Sequence, residues 1–483
     1  MQVVPMNKAN LSLGLLGALV ATLAITWVFN GQGVIHNDPK RNIYIPEVRQ
    51  MPLQVRAAYN NEQIFFQYRW ASPRPGIHMD AYRFEGGKWV AYGEDQPGAQ
   101  NHVFLEDRVA MMVDDGSVPE FAHYGGYVAI GSGMDSFTNP ATEKDINAHP
   151  YLGKDNKKQK AVTKYLPLTR ERPDDWTSIV PQERLDTLKK AGYFLDLWHW
   201  RGHRSNVLGF SDDQNIGPIR DGDPGKNGWT TNWDKDKQQP KYMFDPKRTG
   251  RIANSWQDLS SGKIGQDDPY YLSDDTKTDF DPGQPWKEGD VLPLRVLRTF
   301  EGSMADIRTA GGRARWKDGY WEVTLSRKMD TGDALNDKAF VDGKVYNLAF
   351  SVHRNATGRR WHYISLPVSV GLGREASFSA HRFSGDTPPW TQAWYEAKLF
   401  YPGQVNWPLL TSKRHPGQAM IKDGIPVKHY HNERQLSQYG VEMEFFEEIK
   451  QQWRLTVLAG IFMFVGVGFG LLRLQRKIFS GDK

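Results

Sequence analysis

The chain has 483 residues, of which 39% are hydrophobic and 24% are charged, values that fit an ordinary globular protein with a sizeable core. Its 61 basic and 56 acidic residues leave a net charge of only +5, which argues against a nucleic-acid-binding surface and against a polyanionic substrate. Because cysteine is absent, disulfides, thiolate metal sites, iron–sulfur clusters and cysteine-linked haem are all excluded.

Two long apolar runs lie near the ends of the chain. Leu11 to Phe29 is uncharged, and a helix of about 19 residues rising roughly 1.5 Å per residue nearly crosses a bilayer core of about 30 Å. No small-x-small cleavage site follows it, so we expect an uncleaved transmembrane helix over residues 11–29 rather than a signal peptide. The second run, Leu455 to Leu472, is preceded by Trp453 and followed by basic residues, and it predicts another transmembrane helix.

The basic C-terminal tail sets the predicted topology. By the positive-inside rule, residues 473–483 stay in the cytoplasm, and two spans then place residues 1–10 there as well. A linker over residues 30–54 and the rest of the intervening chain lie on the other side. We therefore expect a two-pass protein of the bacterial inner membrane whose large domain is in the periplasm.

Alternation of apolar and polar residues predicts strands through most of this large domain. Ile64, Phe66, Tyr68 and Trp70 alternate with polar residues, as in a half-buried strand. The other predicted strands follow the same reasoning: the hairpin Asp80–Tyr92, and Asp107–Val113, Leu195–Asn206, Val291–Phe300, Trp316–Arg327, Lys344–His353 and Trp361–Val370. Between the two membrane runs, only Asp175–Gly192 and Gln435–Trp453 have the pattern of a helix.

These elements predict a mainly β fold, a large β-sandwich over residues 55–382 with one transmembrane helix at each end of the chain. Polar stretches near residues 138–178 and 211–288 are predicted to be long loop insertions. Asp267 to Asp281 is acidic but lacks the spacing of a calcium-binding loop, so we interpret it as a solvated loop. Residues 383–452 are expected to wrap the sandwich and to end in the juxtamembrane helix.

Motifs of common enzymes are missing, whereas ligands for a metal cofactor are present. The sequence has no G-x-S-x-G, H-E-x-x-H or phosphate loop in a useful context, so a hydrolase is unsupported. The 17 tryptophans, in a chain that is 12% aromatic, suit sheet faces, haem walls or sugar platforms. The strand Asp107–Val113 carries Met111 and Met112, which alternation places on opposite faces, so one of them is expected to point inward.

A second candidate group lies in Phe350 to Gly373, where a turn between two strands brings together His353, Arg359, Arg360 and His362. Histidine nitrogen with methionine sulfur is an established ligand pair for haem iron. The plainer interpretation also stands, because a methionine on a strand is most often core filling and a strand histidine is usually a satisfied polar group.

Several stretches shift the balance toward a cofactor: FFQYRW (Phe65–Trp70), DRVAMMVDDG (Asp107–Gly116), DLWHWRGHR with a trailing SDD (Asp196–Arg204 and Ser211–Asp213), GYWEVTLSRKMDTGD (Gly319–Asp333) and Phe350–Gly373. In these stretches the chain resembles the haem-binding subunits of ethylbenzene dehydrogenase and of related dimethylsulfide dehydrogenase-type enzymes. The resemblance implies a lipocalin- or DOMON-like β-sandwich that holds haem b non-covalently.

The resemblance also implies which residues hold the haem. It makes Met112 one axial ligand, with Met111 as the fallback. The best-known member of the family has a lysine where this chain reads Arg360-Trp361-His362, so His362 is the predicted second iron ligand. The cationic side chains His199, Arg359 and Arg360 are then candidates to hold the haem propionates.

The predicted function is electron transfer by a membrane-anchored periplasmic b-type cytochrome, a subunit of a respiratory or photosynthetic redox complex rather than its catalytic component. The expected partners are other subunits of a membrane redox complex and a soluble cytochrome or a quinone-reactive subunit, without nucleic acid. Two alternatives stay open: an extracytoplasmic β-sandwich that binds sugars or other ligands, and a haem-less accessory scaffold of a membrane complex.

Overall fold

A computed structural model describes residues 16–17, 19–21, 50–93, 105–129, 143–150, 164–172, 176–354, 362–400 and 446–480 of the chain. It divides into two units, one formed by residues 38–440 and the other by residues 1–37 together with 441–483. The first unit carries all the strands and the second carries the long C-terminal helix.

Strands dominate the described residues, which confirms the predicted mainly β fold. In chain order they are β1 (Gln50–Tyr59), β2 (Gln63–Ala71), β3 (Ala81–Glu85), β4 (Lys88–Tyr92), β5 (Arg108–Asp114), β6 (Leu195–Arg201), β7 (Asp212–Ile216), β8 (Arg220–Gly222), β9 (Gly225–Lys226), β10 (Trp229–Thr231), β11 (Trp233–Asp234), β12 (Gln239–Pro240), β13 (Tyr242–Phe244), β14 (Asn254–Ser255), β15 (Lys277–Asp279), β16 (Asp290–Pro293), β17 (Arg295–Leu297), β18 (Glu301–Gly302), β19 (Arg308–Thr309), β20 (Arg315–Lys317), β21 (Tyr320–Lys328), β22 (Val345–His353), β23 (Tyr363–Ser365), β24 (Val368–Leu372), β25 (Phe378–Arg382) and β26 (Tyr395–Phe400).

Fourteen of these strands form one large sheet, with the order β19-β21-β2-β1-β25-β24-β22-β5-β6-β7-β8 and with β20, β23 and β26 pairing beside this path. Most pairs are antiparallel, whereas β25 runs parallel to both of its neighbours, β1 and β24. The predicted strand Trp361–Val370 is in fact two strands, β23 and β24. Pro367 lies between them, and a proline has no backbone N–H to donate to a ladder.

The two halves of this sheet face each other across one aromatic core, as in a β-sandwich. Phe66 of β2 lies edge-on to Trp198 of β6, with ring centroids 5.6 Å apart, and Trp321 of β21 lies 5.1 Å from Trp200. All four rings are fully buried. Aromatic pairs in such geometries add about 0.5–1.5 kcal/mol each beyond the area that they bury. Much of the aromatic excess of the sequence therefore serves the core.

The segment around residues 211–288 is more ordered than the predicted loop insertion. Besides β7 at its start, it contains the eight strands from β8 to β15, none of these eight longer than three residues. Met243, Phe244 and Leu272 from this segment join Leu292 and Val296 in a small core of their own. Strands of two or three residues are too short to show an alternation of apolar and polar positions, so the sequence pattern predicted a loop.

Helices are few and short in the β unit: α1 (Phe121–Tyr124), α2 (Glu143–Ala148), α3 (Gln182–Lys190), α4 (Pro246–Thr249) and α5 (Trp256–Ser260), with 3-10 turns at Gly125–Ala129, Pro167–Thr169, Asn206–Leu208 and Ser303–Ala305. The helix predicted over Asp175–Gly192 begins only at Gln182. Pro181 is its N-terminal cap with an extended backbone (ψ 150°), because a proline ring is compatible with the start of a helix and not with its interior.

The C-terminal apolar run lies in a single long helix, α6 (Phe446–Ser480). Its window Trp453–Arg473 has 21 residues and a mean hydropathy of 2.3, and it is the one helix among the described residues that is long and apolar enough to cross a membrane. Large apolar side chains such as Phe462, which is 74% exposed, point outward from it. The predicted first span lies mostly outside the described residues, and so does the start of the predicted juxtamembrane helix, residues 435–445.

A buried carboxylate, Glu106, links the turn after β6 to the irregular segment directly before β5. Its Oε2 accepts hydrogen bonds from the backbone N–H groups of His203 and Arg204, and the Arg204 guanidinium lies 2.6 Å from its Oε1. Burial by itself would raise the pKa of Glu106, but Arg204, Arg108 and Arg201 outweigh burial and hold that pKa below its ordinary value of 4.5.

This depressed pKa predicts a defined acid sensitivity. A carboxylate whose pKa is lower in the folded state adds stability above its unfolded pKa, and that stability is lost as the pH falls from about 4.5 toward the folded pKa. We expect Glu106→Gln to be less stable than the wild type at pH 7, and we expect the difference to narrow at pH 3.5. Tryptophan-monitored urea unfolding of the full chain in detergent measures both values. An undiminished difference at pH 3.5 would show that Glu106 does not carry this effect.

Candidate functional site

The two adjacent methionines of β5 point to opposite sides of the sheet, as alternation predicts. Met111 is 1% exposed and lies in the aromatic core, where the Tyr68 hydroxyl donates a hydrogen bond to its sulfur over 3.2 Å. Met112 lies on the other face, in register with Leu197 of β6 and Ala349 of β22. Met111, the fallback ligand, is therefore already engaged inside the core, and Met112 is the methionine that is available for a cofactor.

A cavity lies against the face that carries Met112. Together with the open solvent at its mouth, it spans about 530 Å³ of empty space. Its wall combines small and apolar side chains with three that carry a sulfur or nitrogen atom able to bind a metal, Met112, His362 and Lys164; the full lining is Ala110, Met112, Gly126, Ala129, Lys164, Leu197, Ala349, Phe350, Ser351, His362 and Ile364. The small side chains of β5 and β22 leave the space that a larger residue would fill.

His362 enters this cavity from the segment just before β23. It is 8% exposed, and its ring is stacked on that of His353, the last residue of β22, with centroids 4.8 Å apart and an interplanar angle of 12°. The structure thus brings Met112 and His362 to the same cavity although 250 positions separate them in sequence. Thioether sulfur and imidazole nitrogen are both good ligands for iron in a haem.

Lys164 is a site residue that sequence reasoning missed. It lines the cavity beside the two predicted ligands. Burial, and after it the nearby charge of Arg220, lowers the pKa of its ammonium from 10.5 to about 7. A substantial fraction of neutral amine is therefore present at neutral pH, and a neutral amine is a possible metal ligand. It follows a run of lysines in a polar stretch that predicts only a loop, so no pattern singled it out.

His199 lies next to a group of arginines and is itself neutral. Its Nδ1 accepts hydrogen bonds from Arg220 over 2.6 Å and from Arg201 over 3.4 Å, which places its own proton on Nε2. Burial, followed by the charges of Arg201, Arg220 and Arg108, holds the pKa of His199 well below 6.5. An anion bound here would be neutralised by the arginines. His199 could only donate a hydrogen bond from its neutral ring.

Arg359 and Arg360, the other two candidates for the propionates, fall in residues 355–361, outside the described part of the chain. Their role stays a prediction. His353 and His362, which lie on either side of these residues in the sequence, stack on each other.

Gly126 provides a direct test of the cavity. A Cβ at this position would lie 3.6 Å from the Met112 sulfur and 3.7 Å from the Ala349 side chain, which is ordinary contact. We expect Gly126→Ala to keep the site, whereas Gly126→Phe fills the cavity and excludes any occupant while the fold persists. The visible absorbance of the two purified variants, with far-ultraviolet circular dichroism for the fold, checks this. Equal pigment in both would place the occupant elsewhere.

Comparisons with known proteins bear on the family to which the chain belongs. A family model described as ethylbenzene dehydrogenase matches residues 21–365, more than half of the chain and a range that includes Met112, Lys164 and His362. A cytochrome c-552 from Stutzerimonas stutzeri is 25% identical over 141 residues, which is 29% of this chain. The chain covers 38% of the length of that cytochrome. On the extent of the family match, the chain belongs to the ethylbenzene dehydrogenase family.

Proposed function

We propose that this protein is a membrane-anchored b-type cytochrome that carries electrons, with one haem bound non-covalently in the cavity between Met112 and His362. The observation that carries the proposal is the meeting of a thioether, an imidazole and an amine on one largely apolar cavity. A haem needs a flat apolar slot with a donor atom for its iron and cations for its carboxylates. The lining supplies apolar walls and donor atoms, and cationic side chains lie beside it, so the residues present fit the chemistry of a haem.

The division of roles follows from the placement of the side chains. Met112 lies on the cavity face of β5. The backbone of this strand is held by hydrogen-bonded pairing with β22 on one side and β6 on the other. Stacking on His353 restrains the ring of His362. Most of the residues around them are apolar, and an apolar surrounding strengthens the charge interactions within a site.

Cations near the cavity suit the two propionates. Arg220 lies close enough to influence the pKa of the cavity residue Lys164 and donates a hydrogen bond to His199. Arg220 and Lys164 are the candidates among the described residues because both lie at or beside the cavity, and Arg359 and Arg360 are further candidates. When bound, the haem supplies one-electron chemistry at its iron, and methionine ligation raises its reduction potential.

The family match and the likeness to a cytochrome support a role in electron transfer. The apolar helix α6 supports one membrane anchor. We propose that the apolar run at residues 11–29 is the second anchor, that the large unit lies in the periplasm, and that the protein serves a membrane redox complex together with a soluble cytochrome or a quinone-reactive subunit. The burial of Trp70, Trp198, Trp200 and Trp321 argues against a sugar-stacking platform built from them.

The second iron ligand is decided by comparing two variants, His362→Ala and Lys164→Ala. We expect His362→Ala to lose the low-spin haem spectrum because a ligand is gone, and Lys164→Ala to keep it with weaker haem retention. His381→Ala is the matched control, since His381 of β25 does not line the cavity. The reverse result for the first two variants would assign Lys164 as the ligand. If His362→Ala and Lys164→Ala both had the wild-type spectrum, the haem would not be bound in this cavity as proposed.

A further inference from the structure

A second unusual site lies on the opposite face of β6 from the cavity. Asp196 of β6, Asp213 of β7 and Asp337 each direct a carboxylate oxygen to one place, and these oxygens all lie within 4.8 Å of one another. All three side chains are buried, with Asp196 and Asp213 at 0% exposure. Asp213 is in register with Trp198, so it shares the inner face of the sheet with Asp196.

The cation present, Arg327 of β21, satisfies only part of this group. Its Nη2 donates to Asp196 Oδ2 over 2.7 Å, and its Nη1 donates to Asp337 Oδ1. Lys338 does not help with its ammonium, because that group is directed to Asp115 and to the backbone oxygen of Gly192, at 2.8 and 2.7 Å. One guanidinium therefore serves three buried carboxylates.

Asp213 is the residue that the network leaves unsatisfied. Neither of its oxygens receives a hydrogen bond from any residue that the structure describes, and the nearest cationic atom, Arg327 Nη1, is 3.8 Å away. Asp196 Oδ1 is in the same condition. A buried carboxylate that receives no hydrogen bond destabilises the fold by roughly several kcal/mol, because it loses its hydration without a replacement. Three buried carboxylate oxygens without a hydrogen-bond donor, in a group of acids this close together, indicate a missing positive partner.

Two partners could resolve this arrangement, a proton or a cation. Burial, with the nearby carboxylates Asp196, Asp337 and Asp223, raises the pKa of Asp213 well above 3.8 in spite of the opposing charge of Arg327. A protonated Asp213 would still need an acceptor for its O–H and a donor for its carbonyl oxygen, and the hydrogen bonds among the described residues provide no donor. A fourth acid, Asp223, lies nearby with its Oδ2 also unsatisfied, so with all four acids ionised the four carboxylates and one guanidinium carry a net charge of −3.

We propose that Asp196, Asp213 and Asp337 bind a hard divalent cation of the Ca²⁺ class, with Asp213 as its principal ligand. Ca²⁺ binds oxygen at about 2.3–2.6 Å, so two oxygens on one ion are separated by up to about 5 Å, which matches the spread of these atoms. The ion reduces the local charge to −1 and ties β6, β7 and the segment after β21 together. This site is distinct from the proposed haem cavity and does not depend on it.

The test uses the full chain in detergent, first treated with EGTA and then titrated with Ca²⁺. We expect about one Ca²⁺ retained per chain before EGTA treatment by elemental analysis, and a rise in melting temperature on adding Ca²⁺ back, because an ion that binds only the folded state stabilises it. Tb³⁺, a luminescent substitute for Ca²⁺, should show emission sensitised by tryptophan, since Trp198 lies against Arg327 at 4.9 Å.

The matched variants are Asp213→Asn and, as a control, Asp267→Asn at an exposed pair with Arg315. We expect Asp213→Asn to lose the Ca²⁺-dependent rise in melting temperature and the Tb³⁺ emission, and Asp267→Asn to keep both. If Asp213→Asn fails to fold, the wild-type titration decides alone. A wild type that retains no metal and melts at one temperature with and without Ca²⁺ would overturn the proposal, as would a folded Asp213→Asn that responds to Ca²⁺ like the wild type.

Discussion

Replacing Met112 by leucine is expected to lower haem affinity about tenfold or more, which corresponds to about 1.4 kcal/mol, and to lower the reduction potential of any haem retained. The physical reason is the loss of a sulfur ligand, because leucine has nearly the same volume and fits the same place beside Leu197 and Ala349. Haem titration into the haem-free protein gives the affinity, and a spectroelectrochemical titration gives the potential.

The control for this prediction is the neighbouring residue. Met111→Leu makes the same chemical change on the core face, where the sulfur accepts only the Tyr68 hydroxyl. We expect it to leave haem affinity and potential unchanged and to cost a modest amount of stability for the lost hydrogen bond, on the order of 1 kcal/mol. Equal effects of the two leucine variants on haem would rule out Met112 as a ligand.

Replacing Arg327 by methionine is expected to have the largest effect on stability, a loss of about 3–5 kcal/mol in the free energy of unfolding. Arg327 is 2% exposed, and its removal leaves Asp196, Asp213 and Asp337 without their shared guanidinium. Methionine keeps much of the length and packing, so the loss is chiefly electrostatic. Urea unfolding of the full chain at pH 7 measures it.

The comparison variant is Arg315→Met, at the exposed ion pair between Arg315 and Asp267. Exposed pairs are worth about 0–1 kcal/mol because water screens them, so this variant should unfold close to the wild type. Similar unfolding curves for Arg327→Met and Arg315→Met would mean that the buried network contributes no more than a surface pair.

Local patterns predicted the features that depend on strand periodicity. The alternation in Asp107–Val113 placed Met111 and Met112 on opposite faces, and the structure has one in the core and one at the cavity. The mainly β class followed from the same patterns. The apolar composition of residues 455–472 likewise predicted a helix that the structure contains within α6.

Features that depend on contacts between distant segments could not be predicted. Lys164 reaches the cavity from a segment beside the 3-10 turn Pro167–Thr169, where no periodicity marks a partner. The stretch Ser211–Asp213 contributes to the family resemblance, but its sequence does not predict a cation site. Its meeting with Asp196 and Arg327 depends on the pairing of β6 with β7 and on the fold that brings β21 opposite them. His362 was predicted from resemblance, and the cavity that it shares with Met112 depends on the whole sheet.

The most direct test of the central claim is the absorbance spectrum of the intact protein, purified in detergent from a haem-sufficient host, together with its pyridine haemochrome. We expect a Soret band, a reduced α band of the b type, and about one haem per chain that acidified organic solvent extracts, since no cysteine can link it. A correctly folded protein that has no Soret band and gains none when haem is added would contradict the central claim.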